Sequence, residues 1–110
     1  MSEKTKQTDI YKKLRDMAKE ETSRSIEIHG KFNSPHEAYA VLLEEFEEAM
    51  DEIEIIKQEM PLFWDCVKKN EWLHTELHAI ENHALEAAAE LIQVAAMAKK
   101  SRLHITGVQL

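Results

Sequence analysis

Two stretches of the chain carry carboxylates where apolar residues belong. The first is Glu44-Glu45-Phe46-Glu47-Glu48, continuing through Asp51, Glu52 and Glu54; the second holds Glu86 and Glu90 within the run ALEAAAELIQVAAMA from Ala84 to Ala98. A helix advances about 100° per residue, so the direction of each side chain can be worked out. In the first stretch Glu45 falls inside the stripe made by Val41, Leu42, Ala49, Ile53 and Ile56, with Glu48 and Glu52 on its near flank. Glu44, Glu47, Asp51 and Glu54 take the opposite side, where a solvated face accounts for them. The second stretch is apolar nearly all round, which implies burial on several sides. Its polar members Glu86, Glu90 and Gln93 point the same way, and His83 joins them.

An inward carboxylate without a partner costs on the order of several kcal/mol, so it must be neutralised, paired or bound to a cation. Two chemistries satisfy that demand. One is a hydrogen-bonded network in which Glu86 or Glu90 pairs with His83 or with basic side chains of the first helix. The other is a divalent-cation site, and oxygen-only ligands select hard ions such as Mg²⁺ or Mn²⁺. On that second reading Glu45, Glu48, Glu86 and Glu90 are the candidate metal ligands.

Other constellations are thinner. A carboxylate-bridged di-iron bundle needs two Glu-x-x-His motifs, and Glu71-x-x-His74 is the single example present. His74 and His78 have the i, i+4 spacing of a zinc pair, with Glu71 or Glu81 as a further ligand. Cys66 has no histidine near it in sequence and reads as a small core residue. No glycine-rich loop exists to cradle a phosphate. Trp64 and Trp72 suit either a nucleobase stack or a core; Lys68, Lys69, Lys99, Lys100 and Arg102 suit either phosphates or, from Lys99 on, a helix C-terminus. No substrate-binding residue is assigned.

The elements that must position these groups are helices. Only Gly30, Gly107, Pro35 and Pro61 punctuate the chain, too few turns for an all-β domain. Periodicity predicts a first helix over Thr8–His29, stopped by Gly30. Ser34-Pro35-His36-Glu37 is a helix start: an N-cap serine, proline at the first helical position and glutamate three residues past the cap. That second helix is expected to end near Lys57, because Pro61 disfavours helix at Met60, leaving 61–69 as an apolar corner. A long third helix is expected from about Glu71 to Arg102, continuous or broken at Glu81-Asn82. The expected architecture is a single all-α domain over residues 1–110, an antiparallel helical bundle with tails at 1–7 and 103–110.

Composition narrows the partners. Asp and Glu number 21 against 14 Lys and Arg, a formal charge of −7, which disfavours nucleic acid and anionic membranes. One cysteine excludes an intramolecular disulfide and fits a reducing compartment. No apolar run approaches the ~20 residues of a membrane span and the N-terminus carries no apolar signal segment. A cytoplasmic location is the expectation.

Glu44-Glu45-Phe46-Glu47-Glu48 matches the EExxE motif, and the chain from about Phe32 to Lys100 resembles the MazG-like family of all-α nucleoside triphosphate pyrophosphohydrolases. The segment Glu86 to Lys100 is similar to the second acidic helix of small bacterial and phage members. The resemblance implies Mg²⁺-dependent cleavage of a nucleoside triphosphate to monophosphate and pyrophosphate, with Glu45 and Glu48 as ligands by the motif and Glu45 as the candidate catalytic base. The usual second motif is ExxD, whereas Glu86 and Glu90 lie four apart. Little chain follows this helix, so a second subunit is expected to complete the bundle, as a homodimer or homotetramer. The alternatives are a catalytically inactive interaction protein of the same fold, or a carboxylate/histidine metal bundle of the di-iron kind.

Overall fold

The computed structural model describes residues 3–105 and 107–109, and every regular element in it is a helix. These are α1 (Glu3–His29), α2 (Pro35–Lys68) and α3 (His74–Arg102). Met1, Ser2, Thr106 and Leu110, parts of the expected tails, lie outside the described residues. The helix begins at Glu3, so residues 3–7 belong to α1 rather than to a tail. Residues 103–105 and 107–109 follow α3 without forming a further helix.

The two strongest local signals fold as their chemistry dictates. Gly30 takes φ +74°, a conformation that a β-carbon would strain, and its N–H donates to the Ile26 carbonyl at 2.7 Å. Ser34 then caps α2: the Glu37 N–H donates to Ser34 Oγ at 3.1 Å. The Glu37 carboxylate does not complete the reciprocal box on Ser34; it accepts from Asn33 Nδ2 at 3.0 Å, tying the loop to the first turn.

The expected end of α2 at Lys57 is corrected: the helix runs to Lys68 with Pro61 inside it. Proline removes one backbone hydrogen bond and crowds the preceding turn, a cost of about 3 kcal/mol. Beyond it, however, Phe63 is half-buried and Cys66 buried, and these side chains need the helix to reach the apolar face. Tertiary burial of two such groups is of the same size as the proline penalty. The real stop is Asn70, at φ +55°, with Glu71 N–H bonded to the Cys66 carbonyl at 2.9 Å and Asn70 N–H to Val67 at 2.9 Å. That is a Schellman cap with asparagine in the left-handed position. The third helix starts at His74 rather than Glu71 and continues unbroken through Glu81-Asn82.

The chain divides into two compact units. The first comprises 1–43 and 92–110. Its core is Phe32, Ala96 and Met97, with Ala38, Val41 and Leu42 packed against it. Thr22, fully buried, donates its hydroxyl to its own helix at Ala18 O (2.8 Å) and across to Ala96 O on α3 (3.1 Å). Lys100 is also buried: its ammonium donates to Ser25 Oγ at 2.9 Å and sits 4.3 Å from the centre of the Phe32 ring. Burial pushes this ammonium below the usual lysine range, and the nearby Glu37 charge pulls the other way.

The second unit, 44–91, pairs α2 with α3. Ala49, Cys66 and Ala87 are its buried residues, supported by half-buried Ile53, Ile56, Phe63, Leu77 and Ile80. Here the expectation of burial on several sides meets a limit. Leu85 is 64% exposed and Leu91 45%, because one partnering helix covers one side of α3 only. Among the described residues no helix is long and apolar enough to cross a membrane.

Two substitutions separate core from cap. Phe32→Ala removes a ring that both fills the core and faces Lys100, and is expected to cost about 3–5 kcal/mol. Ser34→Ala is expected to cost about 0.5–2 kcal/mol. Chemical denaturation of the three proteins checks both the order and the sizes.

A candidate metal centre between two helices

The α2–α3 seam of the second unit is polar along one line. Glu45, Glu48 and Glu52 follow one another on α2 at spacings that keep them on one helical face. Opposite them α3 presents Glu90 and, seven residues earlier, His83. Glu90 meets Glu45 and Glu48, while His83 meets Glu52, so the two helices run antiparallel through the seam.

At one end Glu45, Glu48 and Glu90 each offer a carboxylate oxygen, and these oxygens lie within 4.8 Å of one another. Glu45 and Glu90 are half-buried and Glu48 is exposed. Three like charges so close raise the free energy of full ionisation, and the carboxyl groups respond. Burial raises the Glu45 carboxyl above the usual glutamate range, and the Glu48 charge adds to it; a hydrogen bond with Glu90 acts in the opposite sense. Glu48 is raised chiefly by its hydrogen bond with Glu90 and then by desolvation and the surrounding carboxylates.

The donor set fits a hard divalent cation. All three donors are carboxylate oxygens, the preference of Mg²⁺ and Mn²⁺. Ligand oxygens around such an ion stand roughly 3 Å apart when adjacent and roughly 4 Å when opposite. The separations here are of that order, so small side-chain rotations suffice. Nothing basic neutralises the three: among the described residues no ion pair reaches any of them.

Of the four sequence-derived ligands, the structure gathers Glu45, Glu48 and Glu90 and leaves Glu86 outside the group, on an exposed part of α3. The directional argument was too coarse at that point: Glu86 lies about 40° from Glu90, enough to turn it off the contact line with α2. The pairing of His83 with Glu86 or Glu90 is also corrected. His83 Nδ1–H donates to Glu52 Oε2 at 2.5 Å, a pair that the flank position of Glu52 foreshadowed. Gln93 belongs to the first unit, where its amide donates to Glu21 Oε2 at 2.9 Å.

The histidine constellation has less to offer. His74 and His78 stack with ring centroids 5.7 Å apart. No third ligand group gathers with them among the described residues. Glu71 precedes α3, outside the helical register that a Glu-x-x-His motif requires. Cys66 is buried, as expected of a core residue.

The raised carboxyls set the sign of a pH effect. The folded protein holds protons on Glu45 and Glu48 to higher pH than the unfolded chain does. Stability from this source is present at low pH and is lost as pH rises through the raised values. In chelator, the parent is expected to lose more thermal stability than Glu48→Gln on going from about pH 4.5 to about pH 7.5. Parallel melts of the two proteins check it. Compared with known proteins, the chain matches no family model, no curated protein and no solved structure.

Proposed function

We propose that this chain is a nucleoside triphosphate pyrophosphohydrolase of the MazG-like type, dependent on Mg²⁺ or Mn²⁺. The observation that carries the reading is the convergence of Glu45, Glu48 and Glu90 from two helices, with no ion pair to any of them among the described residues. Glu45 and Glu48 belong to the EExxE stretch, and Glu90 to the second acidic helix.

A bound divalent cation supplies charge neutralisation of phosphate oxygens and a more acidic water. The chain's own residues do the rest. Glu48 and Glu90 would hold the cation side of the site. Glu45, half-buried and with its carboxyl raised above the usual glutamate range by burial, is a better proton acceptor than an exposed glutamate. In the reaction, a water oxygen bonds to the α-phosphorus while the bond to the bridging oxygen breaks. Pyrophosphate departs with the electron pair, and the water proton passes to Glu45.

A second copy of the chain belongs to this reading. Leu85 and Leu91 of α3 are exposed, and Trp72, just before that helix, is 84% exposed. A partner that covers these side chains removes their apolar surface from water. A homodimer or homotetramer covers them without requiring any other protein. The exposure of Glu86, which leaves three carboxylates rather than four, favours as second reading an interaction protein that kept the bundle and lost the chemistry.

The deciding experiment incubates a panel of nucleoside and deoxynucleoside triphosphates with the protein and Mg²⁺ or Mn²⁺, and separates the products chromatographically. Monophosphate and pyrophosphate are expected, with turnover reduced at least about 100-fold in Glu45→Gln and Glu90→Gln. Glu86→Gln is expected to stay within a few-fold of the parent. Absence of turnover across the panel, with no metal-induced rise in melting temperature, selects the interaction protein instead.

A further inference from the structure

The first unit contains a groove of about 750 Å³ between α1 and α3, beside the Thr22–Ala96 contact. Its floor is Ala18, Ala95 and Ala98, and its walls carry cationic side chains from both helices. Lys12, Arg15 and Lys19 come from α1, at spacings that place them on one helical face. Lys99 and Arg102 come from the last turn of α3. A single carboxylate, Asp16, lies among these five.

That arrangement runs against the composition of the chain. With 21 acidic residues and a net charge of −7, ion-pair partners are plentiful, yet none of the five cations makes an ion pair among the described residues. Lys99 and Arg102 complement the dipole at the C-terminus of α3. Lys12, Arg15 and Lys19 are in the interior of α1 and gain nothing from a helix end. Like charges converging on one groove are repulsive, and a multivalent anion relieves the repulsion. The volume falls in the range of small-molecule sites, and the alanine floor lets a ligand approach the helix backbones. Arg15 lies 5.8 Å from the centre of the Tyr11 ring, so an aromatic surface stands at the same wall.

We propose that this groove binds an oligophosphate, free or as the phosphate chain of a nucleotide, without a divalent cation. It involves none of the carboxylates of the second unit and stands whether or not those catalyse hydrolysis. Lysine and arginine recognise phosphoryl oxygens as point charges and as forked donors respectively, and both are present. Lys100, next in sequence to Lys99, takes no part, since its ammonium is committed to Ser25 and Phe32.

The test is calorimetric titration of the full chain with inorganic tripolyphosphate at low salt in the presence of EDTA. Saturable binding with a Kd below about 1 mM is expected. Lys12→Ala/Lys19→Ala, two exposed positions, is expected to weaken binding at least about ten-fold and to melt at a higher temperature than the parent in ligand-free low-salt buffer. Lys57→Ala/Lys68→Ala, which removes two exposed lysines from α2, is expected to leave the affinity unchanged. A nucleoside triphosphate that binds several-fold more tightly, with the gain lost in Tyr11→Ala, identifies the occupant as a nucleotide; equal affinity identifies free oligophosphate. No saturable binding, an equal loss in the control pair, or tighter binding of a hexaglutamate peptide than of tripolyphosphate overturns the proposal.

Discussion

Helix register forces carboxylates together in this protein, and much of the second unit follows from that. A helix has no freedom to move Glu45 and Glu48 apart once α2 is laid against α3 along Ala49, and Glu90 enters from the other side because Ala87 is the residue that packs. The small side chains that let the helices approach are therefore the same ones that press the charges together. Proton sharing is the response available to the chain by itself; a cation is the response available from solution. The adjoining Glu52–His83 pair shows how the same seam looks when one helix supplies a donor.

The two units handle charge in opposite ways. The second gathers anionic oxygens without cations; the first gathers ammonium and guanidinium groups around alanines with a single carboxylate. Helix dipoles account for Lys99 and Arg102 and for none of the others. Buried Lys100 is a different case. Its charge is held by a hydroxyl and an aromatic face, so it acts as a tie between α1, the Phe32 loop and α3 rather than as a free cation.

Much of this was legible in the sequence, and the reasons are local. Gly30 and Ser34-Pro35 act through their own backbone chemistry, so no tertiary knowledge was needed to place the first turn. The stripe through Val41, Ala49 and Ile53 was enough to pick out Glu45, since one helical face decides it. Pro61 misled because its penalty is local while the burial of Cys66 that outweighs it is not. Glu86 misled because facing a neighbour and facing the interior are separated by a fraction of a turn, and the crossing geometry of two helices decides which applies. The basic groove was visible only in part: Lys99 and Arg102 suit phosphates in the sequence, whereas Lys12, Arg15 and Lys19 join them only once α3 is placed beside α1.

The contact of Thr22 with Ala96 limits which sequences can fill this fold. Thr22 is fully enclosed, and its single hydroxyl hydrogen is shared between a carbonyl of its own helix and one of its neighbour. Valine has the same outline but loses both hydrogen bonds of the hydroxyl, including the one that crosses to α3; serine keeps the donor but loses a methyl group from a sealed space. Position 96 has no room for a larger side chain without parting the helices. A β-branched hydroxyl at 22 facing a residue no larger than alanine at 96 is thus the combination that lets α1 and α3 approach this closely.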